Sequence, residues 1–325
     1  MIFALITLLA SCRGERTPLL PNVTGSAGQV VLVVNAPVWE TEAGSQLRRT
    51  LGSEHPALPQ AEPLFDIVRI PHASFTNLFK THRNIMVINV SNQYTETRMS
   101  IRNNVWAKPQ LVMEINTPDS ERLHSFLENQ EERIVEELQS AELARVMEYN
   151  RQYEKREIRT LLDERFDVSL VFPPGYSVFI DSTDFAWIGF HPAAQERMQG
   201  IFVYHYEYRD PDTFTPEFII SKRNEILRQF IPGPTEGSYM TTEMEIAPLF
   251  SEYMENDRYF AKLRGLWKVE NDFMGGPFIS LTTLDESRNR VITVEGFVFA
   301  PGEKKRNLLR QVEGIVNTLQ IPPLN

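Results

Sequence analysis

At 325 residues, with 42% apolar and 23% charged side chains, the chain has the composition of a folded protein long enough for two domains. Its net charge of -10 argues against a nucleic-acid partner, which demands a basic stripe, and against adhesion to anionic headgroups. A single cysteine excludes both an intrachain disulfide and a zinc-thiolate cluster, so core packing alone must hold the fold.

Residues 2–10 are nearly all apolar and run into Leu9-Ala10-Ser11-Cys12. The stretch is about half the ~20 residues needed to span a bilayer, so it reads as an export leader. Its end resembles a bacterial lipobox, in which the cysteine thiol is acylated and becomes the new N-terminus after cleavage. The resemblance implies a lipoprotein signal over residues 1–12, lipidation at Cys12 with palmitate-type chains, and a membrane partner reached through that lipid. No Lys or Arg precedes Cys12, a departure from the basic start of such signals. Arg13 is not the aspartate that retains lipoproteins in the inner membrane, and no acidic run follows as in surface-export signals. The expected location is therefore the cell envelope, at the periplasmic face of the outer membrane. Residues 13–29, rich in Pro, Gly, Ser, Thr and Asn, have the composition of a flexible tether.

An N-terminal α/β domain with a long helix is expected over residues 30–165. Val30-Val31-Leu32-Val33-Val34 is an uninterrupted β-branched run that predicts a fully buried strand. A helix over residues 39–51 follows, then a proline-studded loop with Pro56, Pro59 and Pro63, a strand over 65–70 and a short helix over 75–79. Ile85-Met86-Val87-Ile88-Asn89-Val90 is the second strong strand, and residues 99–102 and 110–115 complete a small sheet. Thr117-Pro118-Asp119 has the chemistry of a helix start, with Thr117 as the N-cap and proline at the first helical position. Leu123, Phe126, Leu127, Ile134, Leu138, Val146, Tyr149 and Tyr153 recur at near-helical spacing. About 45 residues in one helix would span roughly 68 Å, so a break near Ser140 into two stacked helices is expected.

Residues 166–325 are expected to form a C-terminal α+β sandwich domain, an antiparallel sheet with packed helices. Alternation of Val168, Leu170 and Phe172 predicts a strand before Pro173-Pro174-Gly175-Tyr176. A hairpin over 177–180 and 185–190, a long strand over 200–209 and a helix over 214–231 follow. Residues 263–270, 277–284 and 290–299 read as a three-stranded meander, with Gly275-Gly276 in one of its turns. Leu308, Val312, Ile315, Val316 and Leu319 mark a closing helix with one apolar stripe.

The element order over residues 167–321 resembles the small sandwich domains of the photosystem oxygen-evolving accessory protein and the Ran-binding Mog-type proteins. The stretches Phe166-Asp167-Val168-Ser169-Leu170-Val171-Phe172-Pro173-Pro174-Gly175-Tyr176 and Leu266-Trp267, with the lipobox and two-part layout, resemble an uncharacterised family of Bacteroides-type envelope lipoproteins. That family carries a domain of unknown function. The resemblance implies residence in the envelope of a diderm bacterium and brings no known activity.

No phosphate-binding glycine loop, zinc-protease helix, nucleophile elbow or complete calcium loop is present. Asp210-Pro211-Asp212 with Glu217 lacks the glycine turn of a calcium loop and reads as a turn before a helix. In Phe202-Val203-Tyr204-His205-Tyr206-Glu207-Tyr208, period-two geometry places Phe202, Tyr204, Tyr206 and Tyr208 on one face. Val203, His205 and Glu207 share the other, where His205 and Glu207 lie about 7 Å apart, within reach of a shared substrate; His191 would join them if the hairpin folded back. Tyrosines so placed ordinarily pack beneath helices. His55, His72, His82 and His124 show no ligand spacing, and Trp39, Trp106, Trp187 and Trp267 are dispersed. Asp181-Ser182-Thr183 matches a short O-glycosylation signal of Bacteroides-type bacteria. The expected function is non-enzymatic, without catalytic residues, metal or cofactor: an anchored binding or scaffold protein for an envelope-protein or cell-wall partner. The alternatives are a small-ligand or glycan binder with an aromatic cleft between the two halves, and a hydrolase with a scattered Glu/His site.

Overall fold

The computed structural model describes residues 19–193 and 195–322. The expected signal and Cys12 lie outside the described residues. Within them the chain is a mixed α+β protein built on two sheets.

The first unit runs β1 (Gln29–Val33), α1 (Ala36–Trp39), α2 (Glu42–Gly52), β2 (Asp66–Ile70), α3 (Asn77–Lys80), β3 (Asn84–Val90), β4 (Arg98–Asn103), β5 (Leu111–Thr117) and α4 (Ser120–Gln152). Strands stand in the order β2-β1-β3-β5-β4, all parallel except β4, which runs antiparallel to β5. Val30, Leu32 and Val34 pack with Leu47 and Leu51 of α2 and with Leu123, Leu127, Ile134 and Leu138 of α4. Val31 and Val33 face the opposite layer with Ile70, Ile85 and Val112, flanked by Phe75 and Trp106. Cover on both faces is why β1 is apolar throughout instead of alternating.

Residues 21–29, within the expected tether, pair with this unit. Lys108 N–H donates to the Pro21 carbonyl at 2.8 Å and Thr24 N–H to the Thr81 carbonyl at 2.9 Å. Gly25 crosses the His82 ring so closely that a Cβ there would lie 2.1 Å from Nε2, and its φ of +86° also requires glycine.

The long helix departs from expectation at both ends. Asp119, not Thr117, is its N-cap, the carboxylate accepting from the Arg122 N–H at 2.8 Å. Thr117 is still in β5, paired with Val90, because the sheet register extends that far. No break occurs near Ser140. α4 continues unbroken for 33 residues, about 50 Å, since its apolar stripe stays over the sheet. It ends where the second unit captures the backbone: Lys155 N–H donates to the Phe172 carbonyl at 2.8 Å, and Lys155 Nζ to the Tyr176 carbonyl at 2.9 Å.

The second unit continues with α5 (Arg156–Phe166), β6 (Ser177–Asp181), β7 (Phe185–Phe190), β8 (Met198–Glu207), α6 (Pro216–Phe230), β9 (Met240–Thr242), β10 (Leu249–Glu255), β11 (Arg258–Val269), β12 (Gly275–Asp285), β13 (Arg290–Phe299) and α7 (Arg306–Val316). Its antiparallel sheet is ordered β10-β11-β12-β13-β8-β7-β6, with β9 added beside β11. One face, with Ile201, Val203, Ile279, Leu281, Ile292 and Val294, is covered by α7 and by Ile158, Leu162 and Phe166 of α5. The other face, with Phe202, Tyr204, Leu263, Trp267, Phe278 and Phe297, lies under Ile219 and Leu227 of α6. Because α5 belongs to this core, the units meet near residue 153 and not at 165.

Three expectations within this unit change. Val168, Leu170 and Phe172 are buried, yet residues 168–172 form no strand; only Ser169 pairs, exchanging both backbone bonds with Gln320. Gly275 and Gly276 sit inside β12, opposite Lys268 and Trp267, so the preceding turn is formed by residues 270–274. β10 extends the expected meander by one edge strand, which its sparse apolar pattern concealed.

Candidate functional site

The two units join along α4 and α7. Gly314 of α7 lies against α4 where a Cβ would come within 2.3 Å of Val146 Cγ1, so the crossing requires the smallest residue. From the first unit, the Glu62 carboxylate accepts the N–H groups of Lys305 and Arg306 at the start of α7. Arg306 returns the contact, donating to Asp66 Oδ2 at 2.7 Å and to the Pro63 carbonyl at 2.6 Å. Asn307 Nδ2 adds a bond to the Ala27 carbonyl at 3.1 Å.

Beside this crossing opens a cleft of about 650 Å³, walled by the C-terminal half of α4, the segment before β1, the Pro173-Pro174 corner and the edge of the second unit. Tyr149, Tyr176 and Phe190 supply aromatic surface, and Asn150, Gln199 and Gln311 supply amides. Tyr176 packs on Phe190 at 5.7 Å, and burial pushes its phenol well up, so it stays a neutral hydroxyl. Tyr149 and Tyr153, expected in the apolar stripe of the helix, are instead largely exposed and pack on each other at 4.8 Å.

The polar groups of the cleft fall into satisfied and unsatisfied sets. Glu142 Oε1 accepts from Arg145 Nη1 at 3.0 Å and from Asn84 Nδ2 at 2.7 Å, and lies 3.3 Å from Arg83 Nε, an ion-pair contact that leaves this buried Nε without a hydrogen-bond partner. Arg145 also donates to the carbonyls of Pro109 at 2.9 Å and Arg83 at 2.7 Å. Burial lowers its guanidinium to about 10, still charged at neutral pH. Gln199 Nε2 bridges the Leu308 carbonyl at 2.9 Å and Gln311 Oε1 at 3.0 Å. Asn150 differs: it is 2% exposed, and its Nδ2 donor has no hydrogen-bond partner. An unpaired buried donor costs about 1–3 kcal/mol, so its retention at the wall of a cavity needs an explanation.

The histidine and acid singled out in the sequence do not meet here. Phe202, Tyr204 and Tyr206 do share the α6 side of β8 and Val203 the other. His205 packs edge-on against Phe166 at 5.9 Å, and burial lowers its pKa. Glu207 is exposed, 3.8 Å from Arg209. His191 binds the Arg197 carbonyl through Nδ1 at 2.9 Å, at the opposite end of the β7–β8 hairpin. Of the other histidines, His72 contacts Asn89 Oδ1 at 2.9 Å, His124 lies 3.5 Å from Glu128, and His82 is buried beneath Gly25. Asp210 caps a 3-10 turn ahead of α6, the turn expected there. Half-buried Ser182 and exposed Thr183 lie in the turn between β6 and β7. Among the described residues, no group of three or more His, Cys, Asp and Glu side chains could hold a metal ion. Nor is any helix among them long and apolar enough to cross a membrane.

Two family models match the chain. One, a domain of unknown function (DUF4837), covers residues 155–318, and another, also a domain of unknown function (DUF8532), covers residues 23–151. No curated protein sequence matches. Among solved structures the chain is similar to a Mog1 point mutant, with 10% identity over 48% of this chain and 92% of that one at a TM-score of 0.32. LpqN of Mycobacterium tuberculosis, described as involved in cell envelope biogenesis, is similar at 13% identity over 48% and 83%, with a TM-score of 0.29. A Bacteroides thetaiotaomicron structure is similar at 11% identity over 48% and 45%, with a TM-score of 0.21.

Proposed function

This chain belongs to the DUF4837 family of domains of unknown function, and from that premise we propose that it is a lipid-anchored envelope protein binding a neutral glycan in the cleft between its units. The Leu9-Ala10-Ser11-Cys12 run supports the anchor: a thiol after small residues is the acceptor such acylation needs. Two or more acyl chains hold stably, each buried methylene contributing about 0.8 kcal/mol. The outer membrane's periplasmic face is the leaflet that Arg13 favours.

The observation that supports the binding half is the unpartnered Asn150 donor in a wall that also carries Gln199, Gln311 and exposed Tyr149. Amides both donate and accept, which suits hydroxyl and acetamido groups, while a tyrosine face covers the apolar side of a sugar ring. Arg83 and Arg145 share Glu142, and Lys108 faces the same lining as Glu148, so the cleft's charges nearly balance and a neutral ligand is favoured over a strongly ionic one.

Titration calorimetry of the chain with chitotriose and maltotriose tests the ligand class. Saturable binding by either sugar, lost in Tyr149→Ala and weakened in Asn150→Ala, is expected. Asn150→Ala should leave the melting temperature unchanged or raised, because it removes an unsatisfied donor. Absence of binding to both sugars would discard the glycan reading. For the anchor, Cys12→Ala should move the protein from the membrane pellet to the soluble fraction; persistence in a washed pellet would discard it.

A further inference from the structure

A second cavity, of about 200 Å³, lies elsewhere on the seam, between α4, β11, α7 and the loop carrying His55. Its charges do not balance. Lys262, Arg264 and Arg310 line it, and the buried carboxylate among them is Glu313. Glu313 accepts from Lys262 Nζ at 3.2 Å and from Arg264 Nη2. Arg310, 6% exposed, donates from Nη1 to the neutral Asn307 Oδ1 at 3.0 Å, while Glu142 and Glu313 act on it only at longer range. Arg264 Nη1 is buried without a partner. The neighbouring buried carboxylate, Glu142, is already shared by Arg83 and Arg145. Glu136, exposed on α4 at the rim, is the remaining acid of the lining, and even counting it the cavity keeps a positive excess. In a protein of net charge -10, partly buried cations that outnumber their counter-charges are costly.

We propose that this cavity is an oxyanion site that takes a phosphate group through Lys262, Arg264 and Arg310. The volume is several times the ~30 Å³ share of one water, enough for a tetrahedral phosphate with a small substituent. Two guanidinium groups and one ammonium match phosphate oxygens in charge and in number of donors. His55, whose Nδ1 is held by the Pro56 carbonyl at 2.9 Å, is kept uncharged here with a pKa of about 4, by burial and then by Arg264 and Arg310. Burial is the larger cause, and the two guanidinium groups add to it against the pull of Glu313. The site shares no lining residue with the glycan cleft, being built from β11, the His55 loop and other flanks of α4 and α7, and its ligand is anionic.

Titration calorimetry of the full chain with inorganic phosphate, glycerol phosphate and uncharged glycerol tests the assignment. Saturable binding of the phosphate compounds and none of glycerol is expected. Arg310→Gln and Lys262→Gln should each weaken binding by about tenfold or more, while circular dichroism stays that of the wild type. Tighter binding of glycerol phosphate than of phosphate assigns a phosphomonoester, as in a headgroup or phosphosugar; the reverse assigns the free ion. If Arg310→Gln fails to fold, Lys262→Gln decides, because its ammonium is partly exposed. No saturable binding of either compound, or equal binding in wild type and the Lys262→Gln variant, overturns the proposal.

Discussion

Arg223 of α6 and Glu295 of β13 form a two-pronged ion pair inside the second unit, Nε to Oε2 and Nη2 to Oε1, both at 2.7 Å and neither side chain reaching solvent. Arg223 also donates to Thr242 Oγ1 at 2.8 Å and lies over the Phe278 ring at 4.0 Å. Each nitrogen of the guanidinium and both carboxylate oxygens are thus occupied within a layer whose other buried polar groups, Ser280, Thr282 and Thr293, are neutral hydroxyls. Burial pushes the Glu295 carboxyl up and Arg223 pulls it back.

Removing one partner leaves the other buried without compensation. Arg223→Met alone should cost about 3–5 kcal/mol in urea unfolding, whereas Arg223→Met with Glu295→Leu should recover most of that loss. A single variant within 1 kcal/mol of the wild type, on the order of an exposed pair, would contradict the burial.

The α4–α7 crossing makes a second forecast. Gly314→Ala sets its new methyl against Val146, and the overpacking should outweigh the ~1 kcal/mol gain in helix propensity, for a net loss of about 1–2 kcal/mol. Val146→Ala in the same chain should restore stability above that of Gly314→Ala. Thermal melts of the three variants decide it.

A third concerns the cap on α7. Glu62→Ala deprives the Lys305 and Arg306 amides of their acceptor, and about 1–2 kcal/mol should be lost. Amide hydrogen exchange should speed up at those positions first, well before the centre of α7.

The pH response of His55 follows from its depressed pKa. In the folded chain it titrates near 4, against 6.5 when unfolded, so between those values the unfolded state binds more protons. Its contribution is therefore constant above about 6.5 and becomes increasingly destabilising as pH falls towards 4. Melting at pH 7 and at pH 4.5 should show a smaller drop for His55→Gln than for the wild type. Equal drops would mean that the ring is solvated.

Much of the architecture was legible because it is local. The runs at Val30 and Ile85 announced buried strands, and the stripe from Leu308 to Val316 announced the closing helix. What escaped was set by distant partners. Thr117 has the chemistry of a cap but is held in β5 by Val90, so Asp119 takes the role. The helix break falls at Tyr153 because Lys155 is seized by the Phe172 and Tyr176 carbonyls, which no periodicity encodes. An aromatic cleft between the two halves is among the alternatives the sequence leaves open, but Tyr149, which lines it, reads there as part of the apolar stripe of α4. Asn150, Gln199 and Gln311 lie on two helices and a strand, and only tertiary packing brings them together. Lys262 and Arg264 sit two apart on one strand, a signal that was present, but Arg310 and His55 reach them from remote segments.

The Glu62 cap places a demand on the order of events as the chain is made. The carboxylate leaves the ribosome 243 residues before the amide it will accept from. Until then the first unit presents a buried-type acid and an open flank to its surroundings. Closing so long a loop costs little more than closing a short one, since the entropy rises only with the logarithm of length, but it cannot begin early. The seam therefore sets only after α7 has been made, and until then the uncovered flank of the first unit is open to proteolysis and aggregation.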